Sequence, residues 1–135
     1  MNFQAPNSKY NLEERTAKLA ELVIELVKEL PQDYINRRMI EQCVASAGSI
    51  GANYCEANEG ESKKDFQHKI GISKKEIKET MHWFRLLAKA NPEKADRFRK
   101  LWQEAHELLL IFSTIISSCR NGKKEKIEPS MKIDN

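Results

Sequence analysis

The chain has 135 residues and a mass of 15.6 kDa, the size of one domain. Hydrophobic residues make up 40% and charged residues 32%, too charged for a bilayer and too apolar to stay unfolded. The net charge of +3 is mildly basic, and five Gly with four Pro are too few for an all-β chain full of turns.

No apolar run approaches the roughly 20 residues that span a bilayer. The opening Met1–Pro6 has no cationic stretch followed by an apolar one. The reading is therefore a cytoplasmic chain without a signal peptide and without membrane contact. Cys43, Cys55 and Cys119 are odd in number and widely spaced, with no CxxC pair. Reduced, mostly packed thiols are expected.

Residues 1–10 read as an N-terminal extension. The bundle is expected over 11–121, beginning with a helix over 12–30. Asn11 is an N-cap, and Glu14 follows in capping-box style. Leu12, Thr16, Leu19, Val23, Leu26 and Leu30 then recur at spacings of three and four, one face of a helix. Pro31 stops it.

A second helix is predicted over 34–59, with Ile40, Val44, Ala47, Ile50 (or Gly51), Tyr54 and Ala57 inward and Gly60 just past its end. Residues 45–52 are nearly all small. Gly inside a helix costs about 1 kcal/mol against Ala, so Gly48 and Gly51 need a reason. Close approach of a neighbouring helix supplies one. A hairpin turning near residue 61 would set Gly51 against Gly71. A phosphate-cradling loop fails, because there is no GxxxxGK[ST] and no strand leading into it.

The third helix is predicted over 63–89, capped by Ser62, with Phe66, Ile70, Ser73, Ile77, Phe84 and Leu87 inward. Asn91-Pro92 reads as a cap with proline in the first turn of a fourth helix over 92–120. Its inner stripe is Ala95, Phe98, Trp102, Ala105, Leu109, Phe112, Ile116 and Cys119. Gly122 would end it, and 122–135 is a charged, aperiodic tail expected to be flexible. Long helices joined by two to four residues must turn back on one another. The expected fold is all-α, an up-down-up-down antiparallel four-helix bundle.

The fourth helix carries more apolar surface than one bundle needs. Leu101, Leu108, Ile111 and Ile115 run beside its inner stripe. A helix apolar on nearly all sides is buried on nearly all sides. Either a neighbouring subunit covers the second stripe, making these four residues an oligomer interface, or the tail or the first helix folds over it.

Charge is divided unevenly. Residues 62–90 hold eight basic and three acidic side chains, whereas 12–30 hold three and five. At 100° per residue, Lys64, His68, Lys75, Lys78, His82, Arg85 and Lys89 fall within about 60° of one line, opposite the apolar stripe. Such a ridge is about 35–40 Å long at 1.5 Å per residue. Consecutive cations repel, and an ordinary wet face would interleave acids. A nucleic-acid backbone suits the ridge better than a small ligand does. A lysine-rich solvated face is the other reading. Lys64, Lys74, Lys75, Lys78, Arg85 and Lys89 are the candidate phosphate contacts. This face has no interleaved aromatics, so binding is expected to be directed at the backbone and weakly sequence-specific. Asn53, Glu56 and Glu79, with Lys75, are candidates for a polar network between helices or subunits; ordinary surface residues are the alternative.

Chemistry has little foothold. Glu79-Thr80-Met81-His82 is one Glu-x-x-His element where a di-iron bundle needs two and two further Glu. His68 and His82 lie about four turns apart, too far to share a metal. Gly48-Ser49-Ile50-Gly51 is not a nucleophile elbow. No enzyme, cofactor or metal is expected.

Ser46-x-Gly48-Ser49-Ile50-Gly51-Ala52-Asn53-Tyr54-x-Glu56-Ala57-Asn58-Glu59, followed by Ser62-Lys63-Lys64-Asp65-Phe66, resembles the four-helix-bundle proteins encoded in intervening sequences of bacterial 23S rRNA genes, also labelled S23 ribosomal proteins. Lys75-Glu76-x-x-Glu79-Thr80-x-x-Trp83 and Tyr10-Asn11-Leu12-Glu13-Glu14-Arg15-Thr16 extend the match over about residues 10 to 120. The resemblance implies a homopentamer around a central channel. The sequence is also similar to the accessory variability proteins of diversity-generating retroelements, basic pentamers that associate with a reverse transcriptase and nucleic acid. The functional expectation is a non-enzymatic RNA-binding oligomer. The alternative is a scaffold that docks a protein such as a reverse transcriptase without touching nucleic acid.

Overall fold

The computed structural model describes residues 11–121. The expectations for the extension over 1–10, the tail over 122–135 and Gly122 lie outside the described residues. Four α-helices and no strand occur among them: α1 (Leu12–Val27), α2 (Tyr34–Asn58), α3 (Lys63–Ala90) and α4 (Ala95–Arg120). Each packs on its chain neighbours, and α4 closes back on α1.

Local chemistry sets the ends. Asn11 Oδ1 accepts from the Glu14 backbone N–H at 3.2 Å, and Ser62 Oγ accepts from that of Asp65 at 3.0 Å. α2 is capped by Asp33, whose Oδ1 accepts from the Asn36 backbone at 2.8 Å. α1 stops at Val27 rather than at residue 30. Its last turn tightens into bonds from the Glu29 N–H to the Leu26 carbonyl and from the Leu30 N–H to that of Val27. Leu30 remains buried. α4 begins at Ala95, after a single 3-10 turn over Pro92–Lys94.

Asn91 departs from its predicted role. Its side chain caps no helix start. It is buried against Asn36, and the two amides exchange hydrogen bonds of 3.0 and 2.9 Å. Asn36 Nδ2 also donates to the Pro31 carbonyl, and Asn91 Nδ2 to that of Leu87. Both amides therefore have their polar groups satisfied away from water, as burial demands.

The core is continuous across the four helices, from Leu19 and Val23 through Ile50 and Ile77 to Phe98 and Phe112. Between α2 and α3 it turns polar. Thr80 Oγ1 lies 2.8 Å from Ser46 Oγ, and Ser73 Oγ donates to the Ile50 carbonyl at 2.9 Å. Small hydroxyl residues let these helices approach closely without stranding a polar atom.

The glycines behave differently from expectation. Gly51 does not face Gly71. A methyl group at Gly51 would lie 2.9 Å from Thr16 Oγ1, so the close approach is to α1. Added methyl groups at Gly48 and Gly71 would meet nothing within 4 Å.

Candidate nucleic-acid interface

α3 turns Ile70, Ser73, Ile77, Thr80, Phe84 and Leu87 inward. Its opposite side therefore has to face water. Lys64, Lys75, Lys78, Arg85 and Lys89 are exposed there, with His68 and His82 among them, and Lys74 lies half-buried on the flank. None of these six cations has a carboxylate within 4 Å among the described residues. The acids of α3 sit to one side. Glu76 is partly covered, and burial followed by the charge of Glu79 pushes its carboxyl up, while Lys75 acts in the opposite sense.

Cations joining α1 and the turn after it to α4 and the 3-10 turn before it are held quite differently. Arg15 grips Glu104 with Nε and Nη2, each at 2.9 Å, and reaches Glu107 at 3.0 Å. Burial opposes the charge on Arg15, but the two glutamates outweigh it and raise the guanidinium above its usual range. Arg97 grips Glu29 at 2.7 and 3.0 Å, and Lys94 joins it at 2.9 Å. Hydrogen bonds from Arg97, then from Lys94, hold the Glu29 carboxyl down at about 2.

Two open grooves flank the ridge. One, of about 480 Å³ between α2 and α3, is lined by Gln42, Lys75, Lys78, Glu79, His82 and Trp83. The other, of about 340 Å³ between α3 and α4, is lined by Phe84, Arg85, Ala88, Ala95, Phe98, Arg99 and Trp102. Trp102 was expected in the inner stripe, yet it is 37% exposed and stacks on His106, with ring centroids 5.1 Å apart. Arg99 and Trp102 are contributions to this face that inspection of the third helix alone misses. The signal was present: on α4, Arg99, Trp102 and His106 are three or four residues apart and share a flank.

Two expected groupings need correction. Leu101, Leu108, Ile111 and Ile115 are buried within the single chain, so they present no stripe to a neighbouring subunit. α1 and α3 both pack against α4, and that is why α4 must be apolar on more than one side. Nor do Asn53, Glu56 and Glu79 gather into one network. Asn53 Nδ2 donates to the Ser49 carbonyl of its own helix. Glu56 accepts from Lys69 Nζ at 2.6 Å, not from Lys75. Glu79 lines the α2–α3 groove instead.

Burial pushes the Cys43 thiol up to about 12. Partial burial, then Glu13 and Glu59, raise that of Cys55, so both stay protonated at neutral pH. Among the described residues, no three His, Cys, Asp or Glu side chains gather where they could hold a metal ion. No helix among them is long and apolar enough to cross a membrane.

Fold and surface together define a small antiparallel four-helix bundle with one long helix presenting bare cations. The chain belongs to the 23S rRNA-intervening sequence protein family, whose sequence profile matches residues 8–114. Among solved structures it is similar to a protein of unknown function from the S23 ribosomal protein family of Bacteroides thetaiotaomicron. The two are 26% identical, with a TM-score of 0.70, over 78% of this chain and 97% of the other. No curated protein matches it.

Proposed function

We propose that this chain is a non-enzymatic RNA-binding protein that grips phosphates through the outer face of α3. One observation carries the reading. Six cations stand along one helix with no acid within 4 Å among the described residues, while Arg15, Lys94 and Arg97 are all neutralised by glutamates. Lysine and arginine held apart in water keep their full attraction for a polyanion. Lys64, Lys74, Lys75, Lys78, Arg85 and Lys89 are the contacts, and binding is weakly sequence-specific because phosphates carry no base identity.

The family resemblance supports assembly into a homopentamer, which would repeat the ridge once per subunit and strengthen binding by avidity. With the Leu108 stripe buried, Ile24, Tyr34, Ile35 and Leu110 are exposed apolar side chains left to make subunit contacts. The same side chains favour the second reading, a scaffold that docks a protein such as a reverse transcriptase.

Fluorescence anisotropy of labelled RNA across a salt series tests the proposal. Six phosphate contacts to a single strand give a slope of about −4 for log K against log salt, at about −0.7 per contact. A slope near that value supports the ridge. Absence of binding even at low salt sinks it and leaves the scaffold reading.

A further inference from the structure

We infer that the groove between α3 and α4 is a stacking subsite for an unpaired base, which makes the ridge a track for single-stranded RNA. This rests on the proposed phosphate contacts and adds a base-holding element beside them.

The ridge itself lacks aromatics, but α4 brings one to its edge. Trp102 is a large apolar side chain left more than a third exposed, and it shares the groove with Arg85 of the ridge and Arg99. A guanidinium can bind a phosphate at two points and also lie flat on a base. An indole offers the stacking surface that single-strand binders use. The floor is preformed, since Phe84 and Phe98 are buried and their centroids lie 6.1 Å apart, tying α3 to α4. At about 340 Å³ the groove sits at the bottom of the range for small-ligand sites, about 300–1,000 Å³, which fits one base rather than a peptide helix.

Within this lining Arg99 pairs with Asp96. Both side chains are well exposed, and such a pair contributes little in water, so a phosphate can replace the carboxylate. The α2–α3 groove also holds a tryptophan, Trp83, but that indole is more covered than Trp102 and shares its lining with the Glu79 carboxylate beside Lys75 and Lys78. A duplex has its bases already stacked and offers nothing for Trp102 to take up.

The test uses the full chain with two RNA probes of equal phosphate count, an unstructured oligouridylate and a duplex. Trp83 and Trp102 are the only tryptophans, so Trp83→Phe makes Trp102 the lone reporter. Quenching by the oligouridylate but not by the duplex is expected; equal quenching by both, or none, overturns the subsite. Trp102→Ala should lower oligouridylate affinity roughly 5- to 150-fold, the range for loss of one stacked base, while duplex affinity holds and Trp102→Phe retains most of the binding. Equal loss on both probes, or no loss, also overturns it. Should Trp102→Ala fail to fold, the quenching result decides alone. Lys74→Glu with Lys78→Glu separates the two ideas, because it should weaken both probes alike, on the order of 100-fold at moderate salt. If neither probe binds the unaltered chain, the phosphate reading fails and the subsite falls with it.

Discussion

Two sets of cations in this molecule have the same chemistry and opposite fates. Where α1 and the turn after it meet α4 and the turn before it, Arg15, Lys94 and Arg97 are spent on Glu104, Glu107 and Glu29. Along the outside of α3, the six ridge residues have no such partner among the described residues. Arginine beside a carboxylate on a neighbouring helix is a clamp. Lysine surrounded by water and other lysines is a surface waiting for an anion. The count of basic residues does not separate the two; only the helix-to-helix register does.

The largest expected effect breaks the ridge. Lys74→Glu with Lys78→Glu should lower RNA affinity on the order of 100-fold at moderate salt, with the melting temperature little changed. A fall in affinity matched by loss of helicity would mean that these lysines act on the fold. Breaking the clamp should do the converse. Arg15→Ala removes a two-pronged grip on Glu104 from a side chain only 18% exposed, and should cost about 1–2 kcal/mol of stability in urea unfolding. RNA affinity should stay as it was.

The smallest effect is a change of shape in the pH profile. Glu29 is held at about 2 against an ordinary 4.5, so its pairing stabilises the fold above pH 4.5. That contribution drains away as pH falls from about 4.5 toward 2, because the folded state then has to take up a proton it resists. Glu29→Gln should flatten the acid limb of a stability-versus-pH curve in that window and leave the limb above it parallel. An acid limb identical in both proteins would show that the Arg97 pairing is too exposed to matter.

Four helices and their order were legible because long runs of three-four spacing, Pro31 and Ser62 leave few alternatives. Most of the inner face of α3 was legible for the same reason, and so was its cationic back; Thr80, buried against Ser46, was not, and Phe66 is only partly covered. What pairs with what was not. Gly51 could be read as needing a close neighbour, but the neighbour is Thr16 on α1, a contact 35 positions away that no local pattern encodes. The second stripe of α4 reads as surplus only against a single partner, whereas α4 is covered by both α1 and α3. The Asn36–Asn91 pair was invisible, since a lone asparagine in a helix start reads as solvent-facing until its partner is known. Spacing alone puts Trp102 inward, although its position on the α3 flank leaves it more than a third exposed.

That amide pair has a mechanical consequence. Apolar stripes are forgiving: a helix can slide by one turn, about 5.4 Å, and still find oil to sit in. Two buried amides that each give and take a hydrogen bond are not, because a one-turn slip would strand both. Asn36 and Asn91 thus serve as a zero mark for sliding of α2 along α3. Arg85 lies six residues from that mark, about 9 Å along the axis, and Pro92 starts the path to Arg99 and Trp102 immediately beyond it. A vernier at one end of the bundle sets where the positive charges of one helix fall against the indole of the next.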